Sequence, residues 1–372
     1  MISKKLPLYA DLNVFLTITI TLILIGCLFI YSSSSVYALE THGSSFYFIK
    51  RHFIGLCIGF FALCLARALP LSFIKKTSLI LFIGSLILVG LTLIPSFTRT
   101  IHGSSRWLNI GGFCFQPSEI LKITLVLYLA CFFEKKSSKQ TLTIKKVIPV
   151  GILLISMCYI LLKQPDFGMT VTLLITAALL FFVSHAHIKH MILMFFSFIC
   201  CATFLIIFRP YRLQRILIFL DPWQDPKGAG FQIIQSLIAI GSGGWLGTGI
   251  AHSKQKFFYL PMQHTDFIFS IIAEETGFIG SIFLITLFIL FLYFGIRIAH
   301  QLAHQYTSLV VFGFVSLISL QAFTNMAVST GLLPTKGIGL PFISYGSTSL
   351  VCYLFMIGII INATHSYKNT YV

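Results

Sequence analysis

The chain has 372 residues, of which 57% are hydrophobic and only 10% are charged, and its formal net charge at pH 7 is +16. Soluble domains contain about a quarter charged residues, so this composition excludes a soluble globular protein and indicates an integral membrane protein. Part of the positive charge is explained by basic residues that orient helices at the cytoplasmic face. Nucleic-acid binding is not indicated, because no basic soluble domain is present to carry it.

Apolar runs long enough to cross a hydrocarbon core as helices recur along the whole chain. The predicted spans are residues 15–31, 53–69, 79–94, 118–133, 147–162, 169–183, 191–208, 267–296, 309–328 and 347–361. The sequence therefore predicts an all-α polytopic membrane protein with about ten transmembrane helices, folded as a single membrane domain over residues 1–372.

The basic residues predict the orientation of the chain in the membrane. Lys4 and Lys5 precede the first apolar run, and no signal-peptide cleavage site follows it, so this run is predicted to be a retained span. Loops that face the cytoplasm when the N-terminus is inside are richer in Lys and Arg than the loops between them. Both termini are therefore predicted to be cytoplasmic, with the long loop between spans seven and eight, residues 209–266, outside.

That long polar loop is the predicted working part of the protein. It holds six Lys and Arg residues, and long loops are translocated largely regardless of charge, so these residues are free to bind an anionic ligand. The loop ends on the sequence HTDFIF, which places Asp266 at the mouth of an apolar span. We interpret Asp266 as the chemical centre. The alternative is a helix N-cap, a role in which Asn would replace it.

Three other polar motifs stand at the ends of predicted spans on the same membrane face. Their sequences are GSSRWLNIGGFCFQPSEILK, QPDFGMT and GLLPTKGIGLPFISYGSTSL. Acidic and basic side chains are costly at the ends of apolar spans unless they have partners or a function. Convergence of four polar segments on one face therefore predicts a binding or catalytic site.

Two further patterns are less informative about chemistry. The glycine-rich GSGGWLGTG (241–249) resembles a phosphate-binding loop, but no strand precedes it, so a flexible loop or re-entrant turn is the better interpretation. The nine cysteines lie mostly within apolar runs, with no metal-ligand spacing or disulfide framework. No protein metal site is predicted from them.

These motifs resemble the SEDS family of bacterial shape, elongation, division and sporulation proteins. The resemblance extends in order from SRWL through FQPSEILK, QPDFG, LDPWQDPKGAGFQ, HTDFIFSIIAEETGFIG and LLPTKGIGLPFISYG, and it is stronger to the division branch of the family than to the elongation branch. Two motifs depart from the family pattern. Met262 stands where an acidic residue is usual, and the family's SYGGSS is SYGSTS here, with Ser347 in place of the second glycine.

The resemblance implies a peptidoglycan glycosyltransferase in the bacterial cytoplasmic membrane that polymerises lipid II. It also implies a class B penicillin-binding protein and other division proteins as partners, in contact with membrane lipid. The family's catalytic aspartate maps onto Asp266, which would be a general base. A divalent cation, Mg or Mn, could share the charge of the leaving pyrophosphate. The residues predicted to bind substrate are Arg106, Glu119, Lys122, Asp166, Arg212, Arg215, Lys256, His264, Lys336 and Ser344.

Two other functions fit the same sequence features. A lipid II flippase would also use polar residues within spans and a basic cavity. A scaffold that only recruits its penicillin-binding partner would tolerate changes at Asp266. Glycan synthesis by the purified protein separates the enzyme from both alternatives.

Overall fold

A computed structural model describes residues 5–101, 104–111, 113–134, 144–184, 217–228, 230–257 and 260–369. The predicted seventh span (191–208) lies outside the described residues, and so do Arg212 and Arg215.

Ten helices have both ends within the described residues. Their bounds are α1 Lys5–His42, α2 Tyr47–Ala68, α3 Leu71–Leu91, α4 Pro117–Glu134, α5 Ile144–Lys163, α6 Phe167–Val183, α7 Phe231–Ser242, α8 Ile268–Gln301, α9 Gln305–Ser329 and α10 Ser347–Asn369. Each predicted span that falls on described residues overlaps one of these helices. The all-α polytopic class is confirmed.

Six of the helices are long and apolar enough to cross a membrane, judged by length and composition: α1, α2, α3, α8, α9 and α10. Helices α4 and α9 form the centre of the bundle, where almost every side chain of α4 is buried. The outward faces of α2 and α3 instead expose large apolar side chains such as Phe61 and Ile80. A helix that is apolar on all sides requires an apolar surrounding, which bilayer lipid provides.

Contacts among the segments at their starts place the beginnings of α2, α4, α6, α8 and α10 at one end of the bundle. We call this the Asp266 end, after the residue that precedes α8. Ion pairs connect neighbouring helices at the opposite end of the bundle. Lys75 Nζ at the start of α3 lies 2.5 Å from Glu134 Oε2 at the end of α4, and Arg297 Nε of α8 lies 3.2 Å from Asp11 Oδ2 of α1.

Helix α8 is interrupted at Gly277, which has a φ of 68°. The glycine-rich segment 243–249 packs backbone to backbone against this break, and a β-carbon on Gly247 or Gly277 would collide with the facing backbone. The backbone N–H of Thr248 donates to Glu274 O (3.0 Å), and that of Phe278 donates to Gly244 O (2.9 Å). The turn thus supplies hydrogen-bond partners to the interrupted helix. Non-helical backbone within an apolar bundle requires such partners. These glycines serve close packing.

Two elements in polar segments were not predicted. The interval 209–266 contains helix α7, which is anchored by the Ser236 hydroxyl: it donates to Ser329 O (2.6 Å) and lies 2.6 Å from the Ser270 hydroxyl.

A three-stranded antiparallel sheet lies between α3 and α4. Its strands are β1 Thr98–Ile101, β2 Ser104–Ile110 and β3 Phe113–Phe115. Side chains alternate between the two faces of a strand, so Arg106 shares a face of β2 with the fully buried Leu108. The sheet thereby directs Arg106 toward the Asp266 end of the bundle.

Candidate active site

The backbone around Asp266 is held by three consecutive carbonyl groups. The His264 carbonyl accepts from Tyr345 N–H (3.0 Å), and the Thr265 carbonyl accepts from the Ser344 hydroxyl. The Asp266 carbonyl accepts from Asn325 Nδ2 (2.7 Å). Two of these partners come from the loop between α9 and α10 and one comes from α9 itself, so the main chain of residues 264–266 is held by both elements.

The Asp266 carboxylate lies beside the loop between α9 and α10. A β-carbon built on Gly337 would be 3.3 Å from Asp266 Oδ2 and 3.8 Å from Arg106 Nη1. Helix α8 begins at Ile268, and its N-cap position is held by Phe267 without a side-chain capping bond. The assigned N-cap position is one residue after Asp266, and the N-cap alternative for Asp266 stays a prediction. Its role as the catalytic base stays a prediction.

Arg106 connects the sheet to the start of α6. Its Nη2 donates to Pro165 O (2.7 Å), and its Nε lies 3.6 Å from Asp166 Oδ2. Asp166 is itself the N-cap of α6, where Oδ1 accepts from Met169 N–H (3.2 Å). Both groups are held in place by other elements, so the guanidinium is pre-oriented beside the carboxylate of Asp266.

Lys336 reaches across the loop to α6. Its stem packs against Gly168, where a β-carbon would collide with it, and its Nζ donates to Thr172 Oγ1 (3.2 Å). Burial lowers the pKa of the Lys336 ammonium to about 8, although the nearby Asp166 carboxylate acts to raise it. A cation that deprotonates so close to neutrality is suited to a pH-dependent role.

His264 lies in an aromatic cluster next to Asp266. Its ring centroid is 4.5 Å from that of Phe48, 5.6 Å from that of Tyr37 and 5.9 Å from that of Tyr345. Burial among these rings lowers the pKa of His264 to about 4. The imidazole is therefore neutral at pH 7, and its predicted contribution to substrate binding cannot be that of a cation.

Glu119 and Lys122 form a buried ion pair on α4. Lys122 Nζ lies 2.5 Å from Glu119 Oε2 and donates to Gln321 Oε1 (3.0 Å) on α9. The Tyr353 ring centroid of α10 is 5.0 Å from the ammonium. The pair thus joins three helices in the centre of the bundle, and Gln321 links it to the Gly339 carbonyl at 3.5 Å. This position indicates that the pair holds the loop between α9 and α10 in place and does not favour direct contact with substrate.

We expect Lys122→Met to destabilise the protein by about 3–5 kcal/mol, because it leaves the Glu119 carboxylate buried without a cation. The double variant Glu119→Gln/Lys122→Met should recover most of that loss. Thermal unfolding in detergent measures both. Lys75→Met is the control, since its pair with Glu134 is partly exposed and should contribute about 0–1 kcal/mol. Equal destabilisation by the single and double variants would contradict the prediction.

Lys256 lies away from Asp266, in a second buried polar cluster. Its Nζ donates to Ala251 O and is 3.9 Å from Glu275 Oε1. The Ser32 hydroxyl of α1 donates to Glu275 at 2.7 Å, and Lys254 N–H donates to Glu274 Oε1 at 2.8 Å. The cluster connects α1 and the segment before Asp266 to the interruption in α8. The described contacts of Lys256 are those of a structural ion pair.

Sequence reasoning missed Asn325 and Gly337. One amide group of Asn325 donates to both Asp266 O and Ile338 O, each at 2.7 Å, and so joins the two segments that carry the site. A signal was present in the sequence. Gln321 and Asn325 are four residues apart within an apolar span, which places two amides on one face of a buried helix.

Metal-ligating side chains are sparse in this region. Among the residues that the structure describes, no group of three or more His, Cys, Asp or Glu side chains could hold a metal ion. Mg²⁺ and Mn²⁺ prefer several oxygen ligands, whereas the described neighbours of Asp266 include the cation Arg106.

Comparisons with known proteins give consistent results. The sequence model of the cell cycle protein family that comprises FtsW, RodA and SpoVE matches residues 12–369. A protein of Geobacter sp. strain M18, named probable peptidoglycan glycosyltransferase FtsW, is 39% identical over 94% of this chain and 95% of its own length. The stage V sporulation protein E of Bacillus subtilis is 39% identical over 93% of this chain and 95% of its own length.

Two solved structures share the fold. A chain from a peptidoglycan synthase complex, reported for its coordination of polymerization and crosslinking, superposes with a TM-score of 0.77 at 27% identity, covering 95% of this chain and 97% of that one. The rod shape determining protein RodA of Thermus thermophilus has a TM-score of 0.69 at 24% identity, covering 95% and 96%. The second similarity supports the fold alone.

Proposed function

Because the chain belongs to the FtsW/RodA/SpoVE family of cell cycle proteins, we propose that it is a peptidoglycan glycosyltransferase that polymerises lipid II into glycan strands during septal cell-wall synthesis. The family membership predicted from the sequence motifs is confirmed. The activity is supported by relatives that are named peptidoglycan glycosyltransferases and align over nearly the whole chain.

The observation that carries the proposal is the placement of Asp266. The main chain of residues 264–266 is held by three hydrogen bonds from α9 and the loop before α10. The Asp266 carboxylate and the Arg106 guanidinium both lie next to Gly337. A fixed carboxylate beside a fixed cation suits a reaction in which a proton is removed while negative charge develops nearby.

In the proposed reaction, the 4-hydroxyl of the acceptor GlcNAc attacks carbon 1 of the donor MurNAc. The hydroxyl proton passes to Asp266, the new carbon–oxygen bond forms, and the bond to the polyprenyl pyrophosphate breaks with the electron pair leaving on that group. Attack opposite the leaving group converts an α-linked donor into a β-linked product. The base has to lie within about 2.6–3.2 Å of the hydroxyl oxygen for this transfer.

The departing pyrophosphate requires cations. Of the basic residues predicted for this task within the described part of the chain, Arg106 and Lys336 lie at the Asp266 end, whereas Lys122 and Lys256 are committed to buried ion pairs with Glu119 and Glu275. We therefore assign the charge stabilisation to Arg106 and Lys336. A divalent cation, Mg or Mn, would have to be held by Asp266 or Asp166 together with the substrate pyrophosphate, since the described residues contain no group of three or more His, Cys, Asp or Glu side chains that could hold it.

The chain is a multi-pass membrane protein. We propose that both termini are cytoplasmic and that the Asp266 end faces outward, where the lipid tails of the substrate can lie along the apolar helices. A class B penicillin-binding protein is the proposed partner, together with other division proteins, since the solved complex of similar fold couples polymerization to crosslinking.

The experiment that tests the function uses the purified full-length protein and lipid II, with and without a class B penicillin-binding protein. We expect glycan chains resolved on a gel. Lipid II translocation in vesicles without chain synthesis would identify a flippase, and partner binding without either activity would identify a scaffold. Both results would overturn the proposal.

The activity should fall as the pH rises through about 8. The pKa of Lys336 is about 8, so its ammonium is charged below that pH and loses its proton above it, which removes one cation from the leaving pyrophosphate. Rates of polymerisation across pH 6–10 check this. Lys336→Arg should move the decline to higher pH because arginine stays protonated, whereas Lys75→Arg at the opposite end should not. An unchanged decline in Lys336→Arg would contradict the assignment.

A further inference from the structure

Gly337 occupies the point at which Asp266 and Arg106 approach each other. A β-carbon at this position would lie within 4 Å of both Asp266 Oδ2 and Arg106 Nη1, which are its two nearest contacts among the described residues other than its chain neighbours. Gly337 is exposed, and both of its charged neighbours are only partly buried. The space beside Gly337 is therefore reachable from outside the protein.

The backbone conformation does not explain a glycine at this position. Ile338 N–H donates to Lys336 O at 2.9 Å, which closes a three-residue turn with Gly337 at its centre. Gly337 is not among the residues with a positive φ, and a turn of this kind at negative φ accepts ordinary residues. What glycine contributes here is the absence of a side chain.

The loop cannot easily retreat to accommodate a larger residue. Asn325 Nδ2 ties the Ile338 carbonyl directly to the Asp266 carbonyl, and Gln321 Nε2 reaches the Gly339 carbonyl one residue further on. On the other side, the Lys336 stem is packed against Gly168 of α6. The distance between residue 337 and the Asp266 carboxylate is thus set by contacts on both sides of the turn.

We propose that Gly337 is a positioning residue whose missing side chain keeps open the slot through which the acceptor hydroxyl reaches Asp266. This inference rests on the proposed glycosyltransferase function. The slot is bounded by a carboxylate that accepts the hydroxyl proton and by a guanidinium that faces developing negative charge. The slot holds the acceptor hydroxyl at the moment of attack. A side chain that fills the slot should therefore impair the chemical step more than the binding of the lipid-linked substrate.

A series of variants of increasing size tests this. Gly337→Ala adds a methyl group at 3.3 Å from Asp266 Oδ2, and we expect kcat to fall about 10-fold. Gly337→Val adds two further methyl groups, and we expect a fall of about 100-fold or more, as for other small displacements of reacting groups. KM, and lipid II binding measured by native mass spectrometry, should stay within about twofold of wild type.

Gly84→Ala and Gly84→Val are the matched controls, because a β-carbon on Gly84 of α3 would meet no atom of another described segment within 4 Å. Folded yield and the melting temperature are measured for all four variants. A wild-type kcat in Gly337→Val would overturn the proposal. The proposal would also be wrong if a rise in KM, or a loss of folded protein, explained the whole loss of activity in Gly337→Ala.

Asp266→Asn separates this inference from the function on which it rests. If Asp266→Asn is inactive while the Gly337 variants are fully active, only the role of Gly337 is wrong. If Asp266→Asn polymerises lipid II normally, the proposed mechanism itself is wrong.

Discussion

Asp266→Asn should abolish glycan polymerisation while the protein remains folded in the membrane. The substitution keeps the shape of the side chain but removes the base that accepts the hydroxyl proton, and loss of general-base catalysis reduces rates by about 10²–10⁴-fold. The hydrogen bond from Asn325 Nδ2 goes to the carbonyl group of residue 266, so it is retained in the variant. Chain formation from lipid II by purified protein measures the effect.

The control for Asp266→Asn is Asp221→Asn. The Asp221 carboxylate accepts from Trp223 N–H (3.2 Å) in a turn, a bond that an asparagine oxygen can also make. We expect this variant to retain wild-type activity. Substantial synthesis by a well-folded Asp266→Asn protein would remove Asp266 from the catalytic role.

Arg106→Ala should reduce kcat/KM by about 10²–10³-fold, the range found when one preorganised donor is removed from an active site. Arg106 contacts Pro165 O and Asp166 Oδ2 while another nitrogen faces the Gly337 slot. A lysine has one ammonium and cannot make these contacts together, so Arg106→Lys should be clearly impaired as well. Steady-state kinetics with lipid II measure both variants.

Arg297→Lys serves as the control for the Arg106 variants, since Arg297 pairs with Asp11 at the opposite end of the bundle. It should leave kcat/KM unchanged. Full activity of Arg106→Lys would show that a positive charge near β2 is sufficient and that the fork of the guanidinium is not needed.

The spans could be read from the sequence with errors of only a few residues at most ends. The prediction 118–133 corresponds to Pro117–Glu134, and 309–328 corresponds to Gln305–Ser329. Helix α1 shows the largest difference, because Lys5–His42 extends well beyond the predicted 15–31, and α3 begins and α10 ends eight residues outside their predictions. Its second half continues through a run of serines that are not apolar, and the buried contact of Ser32 with Glu275 explains why polar residues are tolerated there.

The small sheet and α7 were not predicted because their signals are short. The sequence NIGGF contains a two-residue turn signal between apolar residues, but a pattern of a few residues is weak evidence beside long apolar runs. Helix α7 lies in a stretch that was interpreted as an external loop. Its stability depends on Ser236 meeting Ser270 and Ser329, which are distant in the sequence.

The candidate site was predicted in part. Asp266, Arg106, Asp166, Lys336 and Ser344 do converge on one end of the bundle. Glu119 and Lys122 pair in the centre of the bundle, and Lys256 belongs to a second cluster. All were assigned from motifs at span ends, and a motif gives the depth of a residue along its helix but not the neighbour that its side chain faces.

The sequence by itself determined the membrane class, the number and approximate position of most spans, the family and the aspartate at the start of α8. These properties depend on the free energy of transferring a local segment into the membrane or on contiguous motifs, and both are determined by residues adjacent in the sequence. The tertiary structure decided which polar groups meet. Asn325 joins Asp266 across 59 residues, and Lys336 reaches Thr172 across 164. Such pairings depend on which helix faces pack together, so only the folded bundle shows that Gly337 lies next to both the carboxylate of Asp266 and the guanidinium of Arg106.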